Sequence, residues 1–274
     1  MKKTISFTKM VGAGNDFLMI DAIKGVNYKK LATAMCSRNQ GVGADGLLIL
    51  EKSSKANHRM RIINSDGSEA EMCGNGARCM AAYIAQKKSS TKKQFTLETL
   101  AGIISAEILK DKIRVHLSDP KNCQVNIPLE INGQKITVSY IDTGVPHTVV
   151  YVDHLKNIDV NSIGQTIRWH EQFAPRGTNV NFAEQINANM VEVRTFERGV
   201  EAETKACGTG SVATAIVTYL KANPDIKIQK KASMNVLTAS TEVLNVTFDF
   251  QDDFITNVWL TGGAKFIAKG EYYV

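Results

Sequence analysis

The chain has 274 residues, of which 43% are hydrophobic and 22% are charged, the composition of a globular protein. Its 33 basic and 27 acidic residues give a net charge of +6. The lysines form short scattered pairs such as Lys29-Lys30 and no basic stripe, so we expect no nucleic-acid partner. No apolar run approaches the roughly 18 residues of a membrane-spanning helix, so we expect no membrane partner.

The five cysteines also limit the function. They show no Cys-x-x-Cys pair and no paired histidine, so no metal site is expected. Their odd number and the lack of a signal-peptide pattern predict a reducing, cytoplasmic location.

The start of the chain alternates between strands and a helix. Residue alternation predicts strands at 5–10 and 18–20, and three- and four-residue spacing predicts a helix at 28–36. Residues 41–46 then match the dinucleotide fingerprint Gly-x-Gly-x-x-Gly letter for letter. However, a helix precedes this match and the apolar run 47–50 follows it, which is the reverse of the order that the fingerprint requires. We therefore reject a nicotinamide site.

A strand at 59–63 and a turn at 64–68 lead to a motif of a different kind, Cys-Gly-Asn-Gly at 73–76. Helical spacing begins at Ala77, so the motif is predicted to lie at a helix N-terminus. Glycines leave the backbone N–H groups accessible there, and the helix dipole lowers the pKa of a neighbouring thiol towards neutrality. We therefore predict that Cys73 is a reactive thiol.

Three further strands are predicted at 95–99, 103–109 and 112–117. Residues 122–128 are rich in turn formers and lack periodicity, so we predict no strand there. The boundary between domains is placed near Asp119-Pro120.

The second half repeats this order. A strand at 138–143 ends at Gly-Val-Pro-His (144–147), and helical spacing follows at 163–169. Gly-Thr-Asn-Val-Asn-Phe at 177–182 then echoes Gly-Asn-Asp-Phe at 14–17. These parallels favour an internal duplication.

The strongest parallel is a second thiol motif. A strand at 191–196 leads to Cys-Gly-Thr-Gly at 207–210, and an alanine-rich helical stretch follows. We therefore predict an α+β fold of two pseudo-symmetric halves from an internal duplication, each with strands surrounding one central helix. The halves are predicted as residues 1–119, completed by a C-terminal strand at 263–274, and residues 120–262.

Two thiols in equivalent settings indicate paired proton transfer. Inverting a carbon requires removal of a proton from one face and delivery of a proton to the other, which thiolate and thiol can share. Two helix N-termini can hold the negative charge that develops on a substrate carboxylate. We expect the cysteine motifs to meet in a cleft between the halves.

The two motifs and their surroundings resemble the diaminopimelate epimerase family. The similarity includes Asn-x-Asp-Gly-Ser at 64–68, the run at 73–78, Glu-Arg-Gly at 197–199 and Glu-Thr-x-Ala-Cys-Gly-Thr-Gly at 203–210, and it extends from 14–17 to the C-terminus. The resemblance implies a homodimeric epimerase that needs neither pyridoxal phosphate nor any other cofactor or metal. It would interconvert LL- and meso-2,6-diaminopimelate for bacterial lysine and peptidoglycan synthesis, with a mixed sheet or barrel around the central helix of each half.

The resemblance also implies roles for individual residues. Cys73 and Cys207 would be the acid/base pair, and His147 and Glu197 would support catalysis. The substrate-binding positions would be Asn15, Asn64, Gly74, Asn75, Asn179, Glu197, Arg198, Gly208 and Thr209. Two positions depart from the family pattern. Val145 stands where many members have Asn, and Gly46 stands where some have a polar residue, and each can remove one substrate contact.

Other functions remain as alternatives. A proline racemase or hydroxyproline epimerase would share the two thiols, but typically has His where this chain has Asn75. A phenazine-type isomerase of similar fold would lack the cysteine pair. A thiol redox protein would use both cysteines, but gives no role to the asparagines or to Arg198. The remaining cysteines, Cys36, Cys79 and Cys123, are interpreted as small core residues.

Overall fold

The computed structural model describes residues 4–88, 93–252 and 254–274. The chain divides into two compact units, one containing the residues up to His116 together with Thr261–Val274, and the other containing Leu117–Leu260. The sequence placed the boundaries at residues 119 and 262, which differ from this structural division by three and two residues.

The described residues of the first unit form eight strands and two helices before the chain enters the second unit. These elements are β1 (Thr4–Gly12), β2 (Asn15–Asp21), α1 (Tyr28–Cys36), β3 (Gly46–Glu51), β4 (His58–Asn64), β5 (Glu69–Ala70), α2 (Gly74–Lys88), β6 (Gln94–Thr99), β7 (Gly102–Ile108) and β8 (Ile113–His116). The glycine-rich run 41–46 therefore lies between a helix and a strand, in that order. This order confirms that the run has the wrong context for a dinucleotide fingerprint.

The second unit repeats this series. Its elements are β9 (Lys121–Ile131), β10 (Gln134–Asp142), β11 (Pro146–Tyr151), the single-turn 3-10 helix Leu155–Asn157, α3 (Val160–Arg168), the single-turn 3-10 helix Glu171–Phe173, β12 (Asn179–Asn187), β13 (Met190–Glu197), β14 (Ala202–Thr204), α4 (Gly208–Ala222), β15 (Ile228–Thr238), β16 (Val243–Gln251) and β17 (Phe254–Gly262). The last strand, β18 (Lys265–Tyr273), belongs to the first unit, where it pairs with β1.

Strand pairing shows the duplication directly. Among the described residues of the first unit the order is β18-β1-β2-β3-β4-β6-β7-β8, and the β2–β3 and β4–β6 pairs are the parallel ones. In the second unit the order β9-β10-β11-β12-β13-β15-β16 has parallel pairs at the same two places, β11–β12 and β13–β15. In each unit a helix crosses over between the strands of each parallel pair, as parallel pairing requires. The predicted duplication is thus confirmed.

Each unit is built around one helix that is buried on most of its sides. Helix α2 contacts β1, β2, β3, β4, β7 and β8, and α4 contacts β10 to β13, β15 and β16. Residues 77–81 of α2 and 210–218 of α4 are buried, and most of them are small or β-branched, so the strands approach the helix closely. The helices α1 and α3 pack within separate apolar clusters. None of the helices in the described ranges combines the length and apolar character needed to cross a membrane.

One predicted loop is wrong. Residues 122–128 belong to β9, which pairs with β10 along most of its length. Asn122 and Asn126 have φ values of 53° and 57°, in the left-handed region that asparagine tolerates, and the register shifts twice along the pair. These irregularities and the exposure of the strand remove the alternation by which a strand is recognised in sequence.

The predicted correspondence between residues 14–17 and residues 177–182 is also wrong. Residues 177–182 lead into β12, whose counterpart in the first unit is β3, because both strands follow the first crossover helix. Residues 14–17 begin β2, whose counterpart is β11. Phe17 pairs with Gly46 as His147 pairs with Asn179, so the structural equivalent of Asn15 is Val145, just before β11, and Asn179 corresponds to Gly46, the first residue of β3.

The packing of α3 generates a stability prediction. A Cβ atom added to Gly164 would lie 2.5 Å from Cβ of Phe196. We expect Gly164→Ala to destabilise the protein by about 1–3 kcal/mol through overpacking, which outweighs the higher helix propensity of Ala. The exposed neighbour Gln165 supplies the control, because Gln165→Ala should change stability by no more than about 0.5 kcal/mol. Thermal unfolding followed by circular dichroism tests both variants, and a Gly164→Ala protein as stable as the parent would contradict the packing argument.

Candidate active site

The first predicted thiol lies at the start of the central helix of its unit. Cys73 directly precedes α2, and its carbonyl accepts the first helical hydrogen bond, from the N–H of Ala77, at 2.8 Å. Its Sγ accepts a hydrogen bond from the backbone N–H of Gly76 at 3.4 Å. The sulfur therefore takes the place of an N-cap oxygen. Cys73 is half-buried.

The second thiol has the same arrangement in its own unit. Cys207 is the N-cap of α4, and its carbonyl accepts from the N–H of Ser211 at 2.9 Å. Its Sγ accepts from the N–H of Gly210 at 3.4 Å, the same distance as in the first unit. The hydroxyl of Thr209 lies 3.5 Å from this sulfur, and the Thr209 carbonyl accepts from Oγ1 of Thr143. Both helices thus begin where the sequence predicted, just after the cysteine.

The third residue after each cysteine is a glycine with little room for a side chain. A Cβ at Gly76 would lie 3.0 Å from a methyl carbon of Leu48, and a Cβ at Gly210 would lie 2.4 Å from Oδ1 of Asn181. Without a side chain, both N–H groups can reach the sulfur atoms.

Asparagine side chains join the start of β2 to the start of α2. Nδ2 of Asn75 donates to Oδ1 of Asn15 at 2.5 Å, and Nη2 of the buried Arg78 donates to Oδ1 of Asn75 at 2.8 Å. Nδ2 of Asn15 donates to the carboxylate of Asp45 at 3.2 Å. The structure therefore brings Asn15 and Asn75 together beside the N-terminus of α2, close to Gly74 and Cys73.

Asn64 lies at the same end of the sheet. It ends β4 opposite Gly46, the first residue of β3, and Gly46 in turn pairs with Phe17. Its side chain donates to Oγ of Ser68 across the predicted turn. A Cβ at Gly46 would lie 3.0 Å from the carbonyl oxygen of Ile63, so a larger residue requires a shift of this strand. The departure from the family pattern at Gly46 thus has a packing reason.

His147 lies in the interior of the second unit. It is fully buried, and Nδ2 of Asn181 lies 3.2 Å from its Nδ1 and also donates to the carbonyl of Thr148. An amide nitrogen only donates, so Nδ1 is an acceptor and the imidazole proton is on Nε2. Burial, and to a lesser extent the charge of Arg198, lower the pKa of His147 to about 3, so the ring is neutral at physiological pH. Within the described ranges, Nε2 has no hydrogen-bond partner.

Asn179 connects two other predicted site residues, His147 and Arg198. It pairs with His147 between β12 and β11, and its Nδ2 donates to the carbonyl of Pro146 at 2.8 Å. Its Oδ1 accepts from the backbone N–H of Arg198 at 2.9 Å. The amide therefore fixes the backbone on which Arg198 and His147 lie.

Arg198 lies in a cluster of three arginines, and the other two each form an ion pair with an acidic residue. Arg168 pairs with Glu201 at 3.2 Å, and Arg176 pairs with Asp142 at 3.0 Å. No ion pair involves Arg198 among the described residues, and its Nη1 donates only to the carbonyl of Arg176. Burial and the two neighbouring arginines lower its pKa, so its charge is poorly compensated and would attract a carboxylate.

Glu197 is the other charged candidate. Burial raises its pKa above the ordinary value, although Oγ1 of Thr204 donates to its Oε2 at 2.9 Å and partly opposes the shift. A carboxyl group in this state can exchange a proton nearer to neutral pH than an exposed one.

The remaining cysteines have different surroundings. Burial raises the pKa of Cys36 to about 12 and that of Cys123 to about 11, and Cys79 is fully buried within α2. The described ranges contain no group of three or more His, Cys, Asp or Glu side chains placed to hold a metal ion.

Sequence reasoning missed several residues that hold the site in place. The most important are Asp45, Arg78, Asn181 and Thr204. Asp45 and Arg78 lie inside motifs that were recognised for other reasons, and Asn181 lies in the echo at 177–182. Their hydrogen-bond partners are up to 185 positions away in the chain, and no local pattern indicates such contacts.

Comparisons with known proteins agree with this geometry. The family model described as diaminopimelate epimerase matches residues 7–122 and 139–265. Diaminopimelate epimerase of Aquifex aeolicus is 40% identical over 280 residues, which cover 97% of each chain. The Carboxydothermus hydrogenoformans protein of the same name is 40% identical over 287 residues, covering 98% of this chain and 100% of its own.

Solved structures of lower similarity share the fold. A PhzF-family phenazine biosynthesis protein of Bacillus anthracis superposes with a TM-score of 0.76 at 17% identity, covering 99% of this chain and 100% of its own. A hydroxyproline epimerase of Agrobacterium vitis, with bound trans-4-hydroxy-L-proline, superposes with a TM-score of 0.73 at 15% identity, covering 100% and 94%. The duplicated fold is thus shared with both of these proteins, and the relatives named diaminopimelate epimerase place this chain among the isomerases. The chain belongs to the diaminopimelate epimerase family.

The setting of His147 predicts its titration. Because its folded pKa of about 3 is below the unfolded value near 6.5, the ring should stay neutral, with its proton on Nε2, from pH 8 to at least about pH 5. The contribution of this neutral ring to stability is present above about pH 6.5 and is lost as the pH falls towards 3. Nitrogen-15 NMR of the ring measures the tautomer, and the denatured protein is the control. A titration midpoint between pH 5 and 7 in the folded protein would contradict the assignment.

Proposed function

We propose that the protein catalyses the epimerisation of LL-2,6-diaminopimelate to meso-diaminopimelate by transferring protons through Cys73 and Cys207. The observation that carries the proposal is the identical setting of the two thiols. In both duplicated units the sulfur accepts the N–H of the third following residue at 3.4 Å, at the start of the central helix. Family membership supplies the substrate class.

The chemistry is a balanced exchange of protons. One cysteine, as thiolate, takes the α-proton and becomes a thiol, while the C–H electron pair passes into the substrate carboxylate. The other cysteine, as thiol, gives its proton to the opposite face of the carbon and becomes a thiolate. The enzyme then has the reverse protonation state, ready for the reverse reaction. The backbone N–H groups at the helix starts, near Gly74-Asn75 and Gly208-Thr209, can hold the charge on the carboxylate.

The other proposed roles follow from the donors and charges of each side chain that are not engaged by other described residues. Arg198 has no acidic partner among the described residues, so its guanidinium suits a substrate carboxylate. Glu197 has a raised pKa and His147 presents an unpaired N–H donor, so both can support proton transfer. Asn15 at the start of β2 and Asn64 at the end of β4 have polar side chains that suit the polar groups of the substrate. Asn179 acts through the backbone of Arg198.

The wider assignments rest on the family resemblance. We propose that the enzyme works in the cytoplasm as a homodimer, and that it serves lysine and peptidoglycan-precursor synthesis without a cofactor. The hydroxyproline epimerase shares the fold, but its 15% identity carries no substrate assignment. L-Proline is therefore the appropriate substrate control.

The two-thiol proposal predicts the effect of removing either cysteine. We expect Cys73→Ala and Cys207→Ala each to reduce epimerisation of LL-diaminopimelate by at least about a hundredfold, since one face of the carbon loses its proton carrier. Chiral chromatography of the reaction mixture measures the rate. Cys123→Ala removes a thiol outside the motifs and should retain parental activity. Parental activity in either motif variant would refute a mechanism that needs both thiols.

Arg198 provides a second prediction. Arg198→Lys keeps the charge but loses the two-pronged geometry, so we expect kcat/KM for LL-diaminopimelate to fall about ten- to a hundredfold. Arg176→Lys is the matched control, because that residue is exposed and already paired with Asp142, and it should stay within about fivefold of the parent. Equal effects at the two positions would show that Arg198 has no special role.

A further inference from the structure

Four side chains form a continuous hydrogen-bonded chain at the start of α2. Asp45 Oδ2 accepts from Asn15 Nδ2 at 3.2 Å, Asn15 Oδ1 accepts from Asn75 Nδ2 at 2.5 Å, and Asn75 Oδ1 accepts from Arg78 Nη2 at 2.8 Å. A carboxylate thus stands at one end and a guanidinium at the other. The residues come from separate parts of the first unit: the loop before β3, the start of β2 and the start of α2.

The charged ends leave one orientation for each amide. A carboxylate only accepts, so Asn15 must turn its NH₂ group to Asp45 and its oxygen to Asn75. A guanidinium only donates, so Asn75 must turn its oxygen to Arg78 and its NH₂ group to Asn15. Reversing either amide would place two donors or two acceptors against each other, at a cost that buried polar groups make large.

Asp45 is itself held firmly. Its Oδ2 also accepts from the backbone N–H of Asp16 at 3.1 Å, and its Oδ1 accepts from Arg38 at 2.8 Å. At the other end, Asn75 is 2% exposed and Arg78 is 0% exposed, so water cannot substitute for a missing partner. Neither end of the chain can therefore turn to allow another arrangement.

The fixed orientation decides what Asn15 can offer to a ligand. Its Oδ1 and one N–H are used within the chain, which leaves the second N–H of Nδ2. We propose that Asp45 is a positioning residue that makes Asn15 a hydrogen-bond donor, so that Asn15 binds a carboxylate oxygen of the substrate and not an ammonium group. This inference rests on the proposed function, because diaminopimelate carries two groups of each kind.

A charge-conserving exchange tests the inference. In the double variant Asp45→Asn with Asn15→Asp, the two side chains can still form a hydrogen bond, in the reverse direction, and position 15 can still accept from Asn75. Position 15 then has no N–H for the substrate. We expect KM for LL-diaminopimelate to rise about ten- to a hundredfold, while the thermal midpoint stays near the parental value. A purely structural role for the pair would leave KM unchanged.

Arg38→Gln is the matched control. It removes the exposed ion pair to Asp45 that the exchange weakens, together with the ion pair of Arg38 to Asp16, but it leaves the amide chain intact, so KM should stay within about fivefold of the parent. If the exchange variant does not fold, Asp45→Asn alone decides the question. Its amide can offer Asn15 either an oxygen or an NH₂ group, so KM should rise while kcat changes less. A parental KM in the folded exchange variant or in Asp45→Asn overturns this inference alone. A parent protein that does not turn over diaminopimelate overturns the proposed function as well.

Discussion

The hydrogen bond from a backbone N–H to a cysteine sulfur, made once in each unit, is the interaction around which the protein is arranged. A helix start leaves N–H groups without partners, and here a thiol takes one of them at Gly76 and at Gly210. Glycine suits both positions, because a Cβ there would lie close to Leu48 or Asn181. The central helices are composed of small residues for a related reason, since strands contact them on several sides. The same geometry that satisfies the helix start also places each sulfur at the N-terminal end of a central helix.

The polar residues near the thiols fall into two groups. Asn179 and Asn181 have both amide ends engaged by neighbouring backbone and side-chain groups, so they hold the backbone of β11 and β12 in place. Asn15, His147 and Arg198 each retain a donor beyond the hydrogen bonds they make within the described residues. Burial and the neighbouring charges explain why the donors of His147 and Arg198 are not engaged by other described residues. His147 is kept neutral by its dry surroundings, and the acidic residues near Arg198 pair with Arg168 and Arg176 instead. We propose that the second group binds the substrate.

Much of this organisation could be predicted from the sequence, because the signals were local. The Cys-Gly-x-Gly runs fixed the starts of both central helices, and the order of helix and strand around residues 41–46 excluded a dinucleotide site. The strand β9 could not be predicted, since Asn122 and Asn126 interrupt its alternation with left-handed backbone. The echo between 14–17 and 177–182 was misassigned because similar letters begin strands that are not equivalent. Asp45 and Arg78 could not be placed either, since their roles depend on a chain of contacts that spans β2, β3 and α2.

The central claim is that two different groups carry the two protons, and deuterium incorporation tests it most directly. Proton NMR of LL-diaminopimelate in deuterated water, taken at early turnover, reports the isotope at each α-carbon. With separate donor and acceptor groups, the first meso product should carry solvent deuterium at the inverted carbon while the remaining LL substrate keeps its proton. L-Proline should show no exchange under the same conditions. If the first meso product instead retained the substrate's own proton, a single group would be carrying it from face to face, and the two-thiol account would be wrong.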